Sequence, residues 1–160
     1  MSNDEEYVID PHRDVGPLRF GMTRAEVRKA LDGEEPHVID RRDRGGELLE
    51  SFREHDRVQV IYDADERAAA VQFPIMDRVM YPPKVRMKGS YNKILQWAKE
   101  QGPALIQELR SFQSDALGLA VGARTPKGGK LEHVLVYRPR YYEDARRHRA
   151  EVKARQRDEG

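Results

Sequence analysis

The chain has 160 residues, of which 36% are charged and 38% are hydrophobic, and its formal net charge is +1. This length allows one domain with a real core, and the small net charge offers no chain-wide attraction for nucleic acid. The absence of cysteine excludes disulfides, zinc–thiolate sites and thiol nucleophiles. Because no signal peptide and no run of about 18 apolar residues is recognisable, the sequence predicts a soluble cytoplasmic protein without a membrane span.

The chain begins with a polar segment, residues 1–14, which is expected to form a flexible arm with an edge strand near Tyr7. The most specific local motif of the chain follows this segment. Thr23 and Glu26 have the spacing of a capping box, and Met22 and Val27 have that of a hydrophobic staple. These pairs predict the start of an amphipathic helix.

Three short strands are expected after this helix. Gly33 is placed to end the helix, and residues 37–47 form a polar loop in this interpretation. The alternation of apolar and polar residues then predicts strands over 48–53, 58–62 and 69–73. Residues 15–73 are therefore interpreted as one helix followed by an antiparallel meander.

A proline-containing connector, residues 74–86, leads to a second segment with the same plan, residues 87–138. Ser90 is predicted to cap a second helix, and residues 104–110 are predicted to form a further short helix. Two strands follow, over 117–121 and 131–138. The small residues Gly118, Ala120 and Gly122 would let another surface approach closely.

The predicted fold class is α+β, with two layers. Two tandem helix-plus-antiparallel-meander modules, 15–73 and 87–138, share one sheet and place both helices on one face. The domain covers residues 15–142, and the remaining residues, 143–160, form a charged helix or tail with little apolar surface for docking.

The segment Phe20-Gly21-Met22-Thr23-Arg24-x-x-Val27 resembles the helix-opening motif of the β-lactamase inhibitor protein family, and that of the small outer-membrane lipoprotein of the barrel assembly machinery. The resemblance implies modules of helix and meander, and a sheet face that docks another protein. This chain departs from both families, because they carry signal peptides and cysteines. No partner-contacting residue is carried over from either family.

No catalytic constellation is recognisable in the sequence. No two of the five histidines have the spacing of a helical metal pair, and the glycine pairs Gly45-Gly46 and Gly128-Gly129 do not match a phosphate-binding loop. The serines lack a local motif that supplies a base. We therefore expect no enzyme activity, no catalytic residue, no cofactor and no metal.

The two faces of the predicted sheet differ in composition. One face, expected against the helices, carries Val58, Val60, Tyr62, Val71, Phe73, Val134 and Val136. The candidate partner-binding residues on the opposite face are Arg53, Gln59, Ile61, Gln72, His133 and Tyr137. This mixture suits contact with another protein, as in an immunity-type inhibitor that masks a toxin or enzyme. The equally weighted interpretation is an ordinary solvated sheet face.

Two alternatives remain open. The first is nucleic-acid association through the basic residues near the end of the chain, Arg146, Arg147, Arg149, Lys153 and Arg155. Acidic residues interleave with these cations and favour a merely solvated helix. The second is small-molecule binding in a cavity beneath the connector residues 75–81.

Overall fold

The computed structural model describes residues 6–82, 85–102, 104–125 and 128–159. These residues form three α-helices and thirteen strands, which confirms the α+β class. The helices are α1 (Arg24–Ala30), α2 (Tyr91–Glu100) and α3 (Tyr141–Glu159). The strands are β1 (Tyr7–Asp10), β2 (Asp14–Val15), β3 (Leu18–Arg19), β4 (His37–Asp40), β5 (Leu48–Phe52), β6 (Val58–Tyr62), β7 (Ala68–Phe73), β8 (Val79–Tyr81), β9 (Val85–Arg86), β10 (Ile106–Gln107), β11 (Ser111–Ser114), β12 (Leu119–Thr125) and β13 (Gly128–Tyr137).

The larger sheet has eight strands in the order β10-β11-β12-β13-β7-β6-β5-β4, and neighbouring strands are antiparallel. The strands that follow α1 occupy one half, and those that follow α2 occupy the other. The last strands of the two halves pair in the middle, with Val71 opposite Val136. Two helix-plus-meander modules therefore share one sheet, as predicted, while the relatedness of the modules stays a prediction.

A second sheet, which the sequence did not predict, has five strands in the order β3-β2-β1-β8-β9. The expected flexible arm supplies β1 and the first residue of β2, and Ile9 of β1 and Val15 of β2 are fully buried. β1 pairs in parallel with β8 of the connector. The connector packs against the domain, as expected, through buried Val79 and Tyr81.

The start of α1 has the predicted capping box. The hydroxyl of Thr23 accepts a 3.2 Å hydrogen bond from the amide of Glu26, and Glu26 accepts one of 3.1 Å from the amide of Thr23. After the helix, the amide of Gly33 donates to the carbonyl of Arg28 at 2.7 Å, with a φ of 75° at Gly33. This closing bond needs a left-handed residue directly after the C-cap Leu31, and Asp32 supplies it with a φ of 60°, followed by the left-handed Gly33. Ser90 lies at the corresponding N-cap of α2, but its side chain makes no capping bond, so that part of the prediction is wrong.

The main core lies between one face of the larger sheet and α1, α2 and the smaller sheet. All seven residues that were predicted to face the helices are buried there: Val58, Val60, Tyr62, Val71, Phe73, Val134 and Val136. Val27 and Leu31 of the α1 segment and Ile94 of α2 pack into the same core.

Two local predictions are wrong. Residues 37–40, expected in a polar loop, form the edge strand β4, and the expected helix over 104–110 is replaced by the short strand β10. Both are edge strands of two or four residues, and they depend on pairing with β5 and β11 rather than on local periodicity.

In the part of the chain that the structure describes, no helix combines the length and apolar character needed to cross a bilayer.

The third helix covers part of the opposite face of the larger sheet. Tyr141 and Tyr142 pack against a second apolar cluster, which consists of Ile61, Ala69, Ala70, Ala120, Leu135 and Tyr137. Val152, about three turns further along α3, is 6% exposed. The prediction of helices on one face therefore holds for α1 and α2, and α3 adds a partial layer on the other face.

Candidate functional site

The six predicted partner-binding residues fall into three groups. Ile61 and Tyr137 are 6% and 1% exposed and lie in the apolar cluster against the start of α3. Gln59, Gln72 and His133 are half-buried on the part of the same face outside that cluster. The third group is Arg53 alone, which is exposed and directly follows β5.

Tyr137 is a packing residue in this structure. Its ring lies 5.0 Å from that of Tyr142 and 5.8 Å from that of Tyr141, measured between centroids. Its hydroxyl donates a 2.9 Å hydrogen bond to Asp115. Sequence analysis placed it on the correct sheet face but did not detect that α3 covers this position, because only a few apolar residues of α3 make the contact. Tyr137 and Ile61 are therefore not accessible to a partner in this conformation.

The register of the sheet places uncharged residues in one row across the face that α3 partly covers. Cα pairing runs through neighbouring strands in the order Ser51, Gln59, Gln72, Leu135, Ala120 and Gln113. At about 4.8 Å between strands, this row spans about 24 Å. An adjacent row contains His133, Gly122 and Ser111. We call these nine residues the uncharged strip.

The imidazole of His133 lies directly over Gly122 within this strip. A Cβ atom at Gly122 would be 2.1 Å from Cε1 of His133, so only glycine leaves room for the ring in this position. Burial lowers the pKa of His133, because a partly dehydrated imidazole favours its neutral form. The strip therefore stays uncharged at neutral pH. The space over Gly122, where the sequence predicted the close approach of another surface, is filled by His133 of this chain.

The opposite face of the sheet contains a fully buried carboxylate, Glu50. Its Oε1 accepts a 2.7 Å hydrogen bond from Tyr62, and its Oε2 accepts bonds of 2.9 Å from both Arg24 and Arg28. Burial alone would raise the pKa of Glu50, but these hydrogen bonds outweigh burial, and the pKa lies below its ordinary value. Since both carboxylate oxygens are occupied, this cluster fixes α1 to the sheet and offers no free base. Sequence analysis did not detect it.

A cleft of about 330 Å³ lies beneath α3, away from the connector where a cavity was predicted. The β4–β5 loop, the β6–β7 turn and α3 line it, with Glu47, Arg138 and Asp144 among the lining residues. Arg138 contacts Asp144 at 2.9 Å and Asp63 at 3.5 Å. Tyr141 donates to both carboxylate oxygens of Glu47 at 2.9 Å. These internal pairs hold α3 against the loops, and we assign the cleft no ligand.

The predicted nucleic-acid residues do not share one surface. Arg146, Arg149 and Lys153 are exposed on the outward side of α3. Arg147 pairs with Asp144 and lines the cleft, and Arg155 lies half a turn away from Arg146 around the helix axis. Among the described residues, no group of three or more histidine and acidic side chains could hold a metal ion.

No family model, curated protein or solved structure matches this chain. The resemblance to the β-lactamase inhibitor protein family and to the barrel-assembly lipoprotein therefore stays a prediction.

Proposed function

We propose that this chain is a non-catalytic protein-binding module that docks its partner on the uncharged strip. The observation that carries the proposal is the absence of lysine, arginine, aspartate and glutamate from nine neighbouring positions on one sheet face, six of them half-buried and three buried, in a chain with 36% charged residues. Depletion of charge is the compositional signal of interface cores, because burying an unpaired charge costs far more than burying an amide or hydroxyl.

The geometry of the strip supports the same function. The row of about 24 Å is held by hydrogen bonds between six neighbouring strands, so little order has to be gained when a partner binds. Gln59, Gln72 and Gln113 each carry a donor and an acceptor that can meet a partner's polar groups. Arg53, at the end of β5, supplies a charge at the rim, where interfaces are commonly polar.

The most concrete form of this proposal is an immunity-type inhibitor in the cytoplasm, which masks a toxin or enzyme in a one-to-one complex. The helix-opening motif at Phe20–Val27 and the helix-plus-meander modules support it by analogy. The binding surface differs from the one predicted from sequence, because Tyr137 and Ile61 are buried. The partner contacts are reassigned to Arg53, Gln59, Gln72 and His133.

A matched pair of variants tests this proposal. Gln59→Arg places a charge in the centre of the strip, and Gln96→Arg places the same charge on exposed α2, outside it. Each variant and the unchanged chain are used as bait in native lysate from the source cells, and retained proteins are quantified by mass spectrometry. A partner retained by the unchanged chain and by Gln96→Arg, but lost with Gln59→Arg, is the expected result.

A photo-crosslinking residue at Gln72 provides an independent measurement. It should form a covalent adduct with the same protein, and a crosslinker at Gln96 should not. Equal capture by Gln59→Arg and Gln96→Arg, or an adduct at Gln96 alone, would place the interface elsewhere and overturn the assignment.

A further inference from the structure

The third helix separates its charges by face. Successive residues of an α-helix are about 100° apart, so residues spaced by three or four lie on one side. The side toward the protein carries Tyr141 and Val152, both 6% exposed, with Ala145 and His148 half-buried between them. Glu151 lies on the flank that lines the cleft. The acidic residues that are interleaved in sequence are therefore largely separated from the outward side in space.

The outward side carries a basic stripe, which consists of Arg146, Arg149, Lys153 and Arg157. All four side chains are exposed, and their spacing places them within an arc of about 80° over a length of about 16 Å. Within the described ranges, no carboxylate lies within ion-pair distance of any of the four. The carboxylates at the start of α3 bind arginines outside the stripe: Glu143 binds Arg140, and Asp144 binds Arg138 and Arg147.

A second element approaches the basic stripe from the β4–β5 loop. A Cβ atom at Gly45 would lie 3.6 Å from Cγ of Arg149 and 3.7 Å from Val152, so the loop lies directly beside the helix there. The residue before it, Arg44, is exposed. This loop therefore brings charges of both signs near the stripe, namely the exposed Arg44 and Asp43, and Arg149 of the stripe also attracts Glu47.

We propose that the basic stripe binds the phosphate backbone of double-stranded nucleic acid. A row of unpaired cations, three of them arginines, matches a linear array of phosphates, and the guanidinium group can donate two parallel hydrogen bonds to one phosphate. Ala150 lies beside the stripe, and Tyr142, which falls within its arc, packs against Tyr137 and Tyr141. The proposed contacts are to phosphates, which carry no sequence information, so we expect binding without a preference for base sequence.

Two other anionic partners fit this surface less well. A helix that lies on a membrane inserts an apolar face, but the apolar side of α3 is turned into the protein at Tyr141 and Val152. Single strands bind through aromatic stacking platforms, but the nearest ring, that of Tyr142, packs edge-on against Tyr137 and Tyr141 at 5.0 Å from each. Binding of a duplex backbone, by contrast, requires only cations on the protein surface.

The first measurement is fluorescence anisotropy with a labelled duplex of about 20 base pairs and mixed sequence. Four phosphate contacts predict a slope of log K against log salt of about −3.6 for B-form DNA. Affinity should therefore fall about 100-fold between about 50 and 200 mM salt. Duplex RNA is measured in parallel, and binding of both duplexes supports recognition of the shared phosphate chemistry.

Two double variants with the same net charge separate the stripe from general attraction. Arg149→Gln/Lys153→Gln removes half of the stripe, and Lys99→Gln/Arg155→Gln removes two exposed cations that lie outside it. The stripe variant should reduce the magnitude of the salt slope by about 1.8, and the control variant should leave it nearly unchanged. Gln59→Arg should bind the duplex as the unchanged chain does, so this proposal and the sheet-face proposal can fail separately.

Several results would overturn the proposal. Equal weakening by the two double variants would show general charge attraction without a defined site. Tighter binding to a single strand than to the duplex, or binding to anionic vesicles or polyglutamate without binding to the duplex, would assign the stripe to another partner. The absence of duplex binding at about 50 mM salt would remove the site altogether.

Discussion

The hydroxyl of Tyr62 donates a 2.7 Å hydrogen bond to Oε1 of Glu50, whose side chain has no exposed surface. Glu50 and Tyr62 come from the neighbouring strands β5 and β6, and the two arginines that bind the other carboxylate oxygen come from α1. One buried negative charge thus joins the first helix to the sheet. Removing it leaves two guanidinium groups without their main partner, and this is costly in a partly dehydrated site.

Glu50→Gln is therefore expected to lower the free energy of unfolding by about 3 kcal/mol or more, measured by urea denaturation at neutral pH. Glu66→Gln is the matched control. Glu66 also binds Arg24, but its side chain is 44% exposed, so its loss should cost less than about 1 kcal/mol. Equal losses in the free energy of unfolding for the two variants would show that burial of the carboxylate does not determine its contribution to stability.

The pH dependence of the Glu50 contribution has a defined sign. Because the pKa of Glu50 is lowered in the folded state, its contribution is present above the unfolded pKa of about 4.3 and is lost as pH falls through the folded pKa. The difference in stability between the unchanged chain and Glu50→Gln should accordingly shrink in acid.

Tyr137→Ala is expected to destabilise the fold by about 3–5 kcal/mol, because a large ring is removed from a buried cluster and its bond to Asp115 is lost. Arg53→Ala, at an exposed position, should change stability by no more than about 0.5 kcal/mol. Thermal or urea unfolding checks both values. A stable Tyr137→Ala variant would show that α3 does not cover this position in solution.

Local sequence patterns predicted the parts of the fold that depend on local geometry. The capping box at Thr23 and Glu26 was visible because its two hydrogen bonds join residues three apart. The alternation in β6 and β7 was visible because one face of each strand packs into the main core. The buried face from Val58 to Val136 was therefore predicted correctly.

Features that depend on distant pairing were not predicted. The parallel contact of Tyr7 with Val79 joins segments far apart in sequence, and neither segment shows it alone. The docking of α3 rests on Tyr141, Tyr142 and Val152 in a helix that is otherwise almost entirely polar. Its apolar periodicity was too sparse to be recognised, and Tyr137 was consequently assigned to an open surface.

The two candidate surfaces differ in how far they could be predicted. Alternation within single strands identified Gln59, Gln72 and His133, but the uncharged strip depends on the β7–β13 register, which no local pattern specifies. The basic stripe could have been predicted from the sequence. A 3.6-residue period separates Arg149 and Lys153 from Arg147, whereas the sequence interpretation treated all the charges as mixed.

The two helix starts provide a direct comparison of capping. Thr23→Ala removes a hydroxyl that accepts a backbone hydrogen bond, and it should cost about 1 kcal/mol. Ser90→Ala removes a hydroxyl that makes no capping bond, and it should cost only a few tenths of a kcal/mol. The free energy of unfolding, measured in urea, should therefore fall more for Thr23→Ala than for Ser90→Ala. A larger cost at Ser90 would mean that it caps α2 in solution.

His55 joins the segment after α1 to the β5–β6 turn. Its Nδ1 lies 2.7 Å from Glu34 and its Nε2 lies 3.1 Å from Asp32, so both ring nitrogens face a carboxylate. Partial burial disfavours the charged ring, but the two hydrogen bonds outweigh this effect and raise the pKa of His55 above its ordinary value. The geometry therefore favours the doubly protonated imidazolium, which can donate to both partners.

Because the pKa of His55 is raised in the folded state, its charged ring stabilises the fold. This contribution is fully present below the unfolded pKa of about 6.5 and is lost as pH rises through the folded pKa. His55→Gln should lower the free energy of unfolding by about 1–2 kcal/mol near pH 6, and by distinctly less near pH 9. Urea denaturation at both pH values measures the difference. Glu34→Gln should reduce the pH dependence of the unchanged chain, because it removes the closer carboxylate. A His55→Gln cost that grows with pH would show that the ring is held neutral and that the two carboxylates do not stabilise its charged form.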